Sequence, residues 1–156
     1  MKLALVILLA VVTACAPAVR SQNSITITEM SWFSVAKQLI TTQTIGVVFV
    51  HSGGGYFDEA RNIISILEPL DVKVICVYQC VSAAAFVVVC GDYEWENRGE
   101  LWFHSPVDIN GVQSVSANQW VDDNCGLPSL SATTGSIGWS VFGNDLSNGT
   151  LRKWNK

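Results

Sequence analysis

The chain is short of charge: Asp, Glu, Lys and Arg make up 14% of its 156 residues, with a formal net charge of −4. It has no basic run that could track a phosphate backbone, so nucleic acid is not an expected partner. Histidine is scarcer still, with two in the whole chain, and imidazole chemistry therefore has few places to occur. There is no C-x-x-C pair, and the positions of Cys76, Cys80, Cys90 and Cys125 match no standard zinc pattern. Neither a metal nor a cofactor is expected. No internal repeat is visible. No apolar run reaches the roughly 20 residues that a spanning helix needs.

What is present is a large apolar content, 49% of residues, ample for one core in a single domain. The N-terminus places Lys2 before apolar and small residues from Leu3 to Ala14 and ends in Val12-Thr13-Ala14-Cys15. That length suits the h-region of a secretory signal. The ending resembles a bacterial lipobox, in which Cys15 is lipidated and becomes the new N-terminus; an ordinary cleaved signal is the alternative. Acylation by several chains, palmitate among them, adds roughly 0.8 kcal/mol per buried CH₂ and anchors the protein stably. Residue 16 is Ala rather than Asp, which under the sorting rule of Gram-negative lipoproteins implies the outer membrane, facing the periplasm. The expected organisation is a signal over 1–15, a polar tether over 16–24 and one domain over 25–156. Export would leave the four remaining cysteines in an oxidising compartment, where three pairings are allowed and the spacing does not choose among them.

Within the domain, "SITIT" alternates as a strand does, and "SWFSVAKQLI" (31–40) has apolar residues near helical spacing. "TIGVVFV" (44–50) is the β-branched run of a strand buried on both faces, and "HSGGG" stops it. Phe57, Ala60, Ile64 and Leu67 recur at helical steps. Asp58 and Glu59 sit in that helix's first turn, where its dipole favours them, and Pro69 closes it. "DVKVICVY" (71–78) predicts a second buried strand, and strand, helix and strand together predict a right-handed crossover. "SAAAFVVVC" predicts a short helix ended by Gly91, with a strand as the competing reading. "GELWFHSP" (99–106) predicts a short strand ending at Pro106. Beyond 107 no segment holds a period for long.

Three features follow the three strands: the glycine turn, Ser82 and His104. In a parallel α/β sheet the carboxyl ends of the strands share one rim, so these features should meet there. Each also has a plain reading: Ser82 as a small packing residue, His104 as a hydrogen-bonded core histidine, the glycines as a sharp turn. His51, beside the turn, is a rival base.

"FVHSGGGYFDEARNIISIL", "VKVICVYQCVSAAAFVVVCG" and "GELWFHSP" together resemble the Clp-protease-like branch of the ClpP/crotonase superfamily, closest to its small exported members. The matching features are Gly54-Gly55, Ser82 with Phe86, and His104 with Pro106, separated by 28 residues from Gly54 to Ser82 and 22 from Ser82 to His104. They cover about residues 25 to 106. The resemblance implies an α/β spiral of βαβ units with a largely parallel sheet and a divergent C-terminal quarter. It also implies a serine peptidase or related hydrolase, with Ser82 as nucleophile, His104 as general base, and the N–H groups of Gly54 and Ala83 as oxyanion donors. A peptide or protein would be the substrate. Assembly into a homo-oligomer is implied too, and the membrane is met only through the N-terminal lipid.

The resemblance weakens where the family places an acid to orient the histidine. About fifty residues past His104 the chain offers none; Asp108, Asp122, Asp123 and Asp145 are the candidates, and the long helix that normally follows the histidine strand is not evident. The alternative function is therefore a catalytically impaired member acting as a binding or assembly module. An acyl-CoA enzyme of the crotonase branch fits poorly with export. A Ser–Lys dyad lacks a lysine in a matching segment, since Lys37 and Lys73 lie elsewhere.

Overall fold

The structure, a computed structural model, describes residues 23–42, 44–107, 110, 112, 114–125 and 140–142. The signal, Cys15, most of the tether, Asp108 and Asp145 lie outside these residues. The elements run β1 (Asn23–Ile27), α1 (Trp32–Thr41), β2 (Ile45–Ser52), α2 (Phe57–Leu67), β3 (Lys73–Val81), α3 (Ala83–Val89), β4 (Glu94–Phe103), α4 (Val115–Asn124) and β5 (Ser140–Phe142). Strands β1 to β4 pair in parallel in sequence order, and β5 adds to β4 antiparallel. Each crossover thus moves one strand along in the same direction, and the expected α/β spiral of βαβ units is what the chain forms. Helix α1 packs on α2, and α2 packs on α3.

Burial explains the local choices. Helix α2 turns Ala60, Ile63, Ile64 and Leu67 inward and keeps Asp58 and Glu59 in its first turn. Helix α3 is buried at all seven positions, from Ala83 to Val89. A helix surrounded by protein needs no polar face, and packing here overrides the modest helix propensity of Val87, Val88 and Val89. The strand reading of this segment is thereby excluded. It rests against β2, β3 and β4, directly beneath the rim.

Three expectations change. Strand β4 starts at Glu94, five residues before the predicted start, because its polar opening pairs with β3 from Lys73 onward while its charged side chains stay accessible to solvent. Lys73 Nζ reaches Glu94 at 2.7 Å and Glu96 at 3.1 Å, and Arg98 Nε reaches Glu96 at 2.5 Å. A helix does follow the histidine strand: α4, ten residues long, whose apolar period is too weak to read from the sequence. Its start is set by Ser114, whose Oγ accepts from the N–H of Ala117 at 3.3 Å. Its end is set by Cys125, which is joined to Cys90 at the end of α3.

Strand β3 also runs further than predicted, through Val81, because it carries a bulge. Val50 pairs with Cys76 and Ser52 with Cys80, so two residues of β2 face four of β3. Four steps along an extended strand would span about 13 Å, yet the Cα atoms of Cys76 and Cys80 lie 6.1 Å apart and their sulfurs are bonded. Tyr78, at the turn of the bulge, has φ 61°. Strand β4 follows the bend in one-to-one register, with Gly99 opposite Tyr78. A Cβ at Gly99 would collide with the Tyr78 backbone.

Candidate active site

The register brings the three features to one rim. Ser52 pairs with Cys80, and Gly54 and Ser82 each lie two residues further on. Val81 pairs with Trp102, so Ser82 and His104 leave neighbouring strands together. The Ser82 N–H donates to the Trp102 carbonyl at 2.8 Å and ties the two exits to each other.

Ser82 is neither on the surface nor sealed inside; it is half-buried, as is His104. Both line one cavity of about 580 Å³, within the range of ligand-sized sites. Its walls include Gly55, Tyr56 and Asp58 from the glycine turn and the start of α2, Pro106 and Val107 beyond β4, and Ser114 and Ala117 from α4. The rings of Phe57 and Phe86 also line it, and those of Phe103 and Trp120 pack against them. Phe86, one turn into α3, stands edge-on to Phe57 (centroids 5.4 Å apart) and Phe103 (5.5 Å), and Trp120 stands edge-on to Phe57 at 5.5 Å.

The backbone at Ser82 is unusual. With φ 55° and ψ −120° it lies in a region that glycine tolerates and other residues rarely enter. Such strain costs on the order of 1–3 kcal/mol and persists where surrounding structure imposes it, often at functional sites. Here β3 passes into α3 with no loop between them, and Ser82 is the single residue at the sharp strand-to-helix turn. The only sequence sign of it is that a strand and a helix abut at "CVSAAA" with nothing to spend on a turn.

The turn that carries Gly54 presses against this elbow. Gly54 has φ 99°, and a Cβ there would fall 2.6 Å from the Val81 carbonyl oxygen and 2.9 Å from Ser82 Cβ. Its N–H donates to Ser52 Oγ at 3.2 Å, while Gly55 is the glycine that lines the cavity. On the other side, the first bonds of α3 run from the N–H groups of Ala85 and Phe86 to the Ser82 carbonyl. The N–H groups of Ala83 and Ala84 precede them and are not used by the helix.

His104 is held by its Nδ1, 2.8 Å from the Ser105 carbonyl oxygen. His51 does not line the cavity; it is exposed, 3.3 Å from the Gln79 carbonyl through Nδ1 and edge-on to Tyr78. Asp122 and Asp123 sit in the last turn of α4, and neither lines the cavity. Asp123 accepts from Gln119 Nε2 at 2.9 Å. Sequence reasoning missed Tyr56, Ser114 and Ala117, since nothing in their spacing connects them to Ser82. Among the described residues no three metal-ligating side chains cluster, and no helix is long and apolar enough to cross a membrane.

The fold and site define a class: an α/β chain with a ClpP-like fold. Among solved structures it is similar to the ClpP1 N165D mutant from Listeria monocytogenes, with a TM-score of 0.57 and 15% sequence identity over 78% of this chain and 83% of that one. No protein-family model matches the sequence, and no curated protein does.

Proposed function

We propose that the protein is a serine hydrolase of the Clp-protease-like type, acting on peptide substrates. The observation that carries this reading is a serine on a strained strand-to-helix elbow sharing one cavity with an imidazole whose Nδ1 is already engaged. In the first step Ser82 Oγ bonds to the substrate carbonyl carbon, and its proton passes to Nε2 of His104. The negative charge that develops on the carbonyl oxygen is taken by the N–H of Ala83 and by the glycine turn. Gly54 serves there once substrate displaces its bond to Ser52, and Gly55 already faces the cavity. Collapse then breaks the C–N bond, with the imidazolium returning its proton to the leaving amine. Water, deprotonated by the same ring, releases the acyl group and restores Ser82.

The aromatic rings that line the cavity beside Ser82 favour a substrate with an apolar side chain next to the cleaved bond. A fluorophosphonate probe tests the reading: it should label the wild type and fail on Ser82→Ala. Labelling of His104→Ala should slow by about 10²- to 10⁴-fold, and that of His51→Ala should be unchanged. Absence of labelling in the wild type would leave a binding or assembly module on the same fold.

For location, we propose an exported protein lipidated at Cys15. The N-terminal run ending at that cysteine supports this, and so do two disulfides, Cys76–Cys80 and Cys90–Cys125, which persist in oxidising compartments. Metabolic labelling with palmitate should be lost in Cys15→Ser.

A further inference from the structure

We infer that the group orienting His104 is the main-chain carbonyl of Ser105, in the place where a carboxylate would complete a triad. The inference rests on the Ser–His reading above and adds its third member. A carbonyl oxygen can only accept, so the Nδ1 that lies 2.8 Å from it carries the ring proton. In the neutral ring Nε2 is then the basic nitrogen, the tautomer a general base needs. Supplying that tautomer is the chief service of the acid in a triad, whose replacement by an amide lowers turnover about 10⁴-fold.

The carbonyl is itself held in place. Ser105 is fully buried and follows Phe103 at the buried end of β4. Pro106 comes next, and a residue before proline is confined to extended backbone, which fixes the direction of its C=O. The Pro106 carbonyl in turn accepts from the Ser114 N–H at 2.9 Å, fastening the segment to the start of α4. Of the acids on that helix, Asp123 accepts from Gln119 Nε2 at 2.9 Å. Ala117 lines the cavity, whereas Asp122 lies five residues further along, about 7 Å down the helix axis.

Long-range ¹⁵N–¹H correlation spectra of the full-length protein, with the His104 signals assigned by comparison with His104→Gln, report the tautomer directly. At a pH where the ring is neutral, Nδ1 should be protonated and Nε2 bare, in the wild type and in Ser82→Ala. The same state should hold in Asp108→Asn, Asp122→Asn, Asp123→Asn and Asp145→Asn, and each should react with a fluorophosphonate within about threefold of the wild-type rate. A ring protonated at Nε2, or a loss approaching 10⁴-fold in any one aspartate variant, overturns the inference and names the acid. A wild type with the expected tautomer but no labelling would instead defeat the hydrolase reading, so the two failures are distinct.

Discussion

At Ser82 a non-glycine residue occupies backbone space suited to glycine, with φ 55° and ψ −120°. Alanine there keeps the strain and removes only the hydroxyl; glycine removes both. Relief of about 1–3 kcal/mol, less about 1 kcal/mol for the greater freedom of an unfolded glycine, should make Ser82→Gly roughly 1 kcal/mol more stable than Ser82→Ala. Denaturant unfolding of the two variants checks this, and neither should turn over substrate. Gly54 is the reverse case. Its φ of 99° and the 2.6 Å that would separate a Cβ from the Val81 oxygen leave alanine no room. Gly54→Ala should cost about 1–3 kcal/mol and slow labelling of Ser82, because the residue it pushes against is the elbow itself. The glycine-rich turn and the serine were both legible in the sequence as features that directly follow buried strands. That they touch was not, because 28 residues separate them and only pairing of β2 with β3 closes the gap.

Strands β3 and β4 are joined near their starts by ion pairs and near their ends by a shared bend. In the pairs, Arg98 and then Lys73 hold the Glu96 carboxylate at a pKa of about 2, below its ordinary value of 4.5. A depressed carboxylate contributes its stability in full above the ordinary value and loses it as pH falls through the depressed one. The wild type should therefore lose stability between about pH 4.5 and pH 2, by at most about 1 kcal/mol for so accessible a pair. Glu96→Gln should flatten that part of the pH profile, as unfolding curves across the window would show. The bend depends on Gly99, which lies opposite Tyr78 with no room for a side chain. The bend is why β3 continues three residues past the end its sequence predicts. The hydrophobic alternation breaks at Tyr78 and Gln79, where the chain bulges but continues to pair. Helix α4 is not legible in the sequence for a different reason: it buries only Asn118 and Val121, and the Cys90–Cys125 bond holds its end.

At the scale of the whole molecule, the Cys90–Cys125 bond joins the end of α3 to the end of α4 across 35 residues. Closing a loop of that size contributes about 4 kcal/mol in the chain-entropy account. Because α4 supplies one wall of the cavity, Cys90→Ser with Cys125→Ser should lower thermal stability and weaken substrate binding, raising KM more than it lowers kcat. The residues alone were enough for the α/β class, the parallel strands and the placing of the glycine turn, Ser82 and His104 just past strand ends, because buried strands and helix caps are written in local composition and period. Folding alone decided the cysteine pairing, the strain at Ser82, the wall supplied by α4 and the partner of His104. Those depend on strand register and on contacts between distant segments, and a linear pattern carries neither distance nor direction.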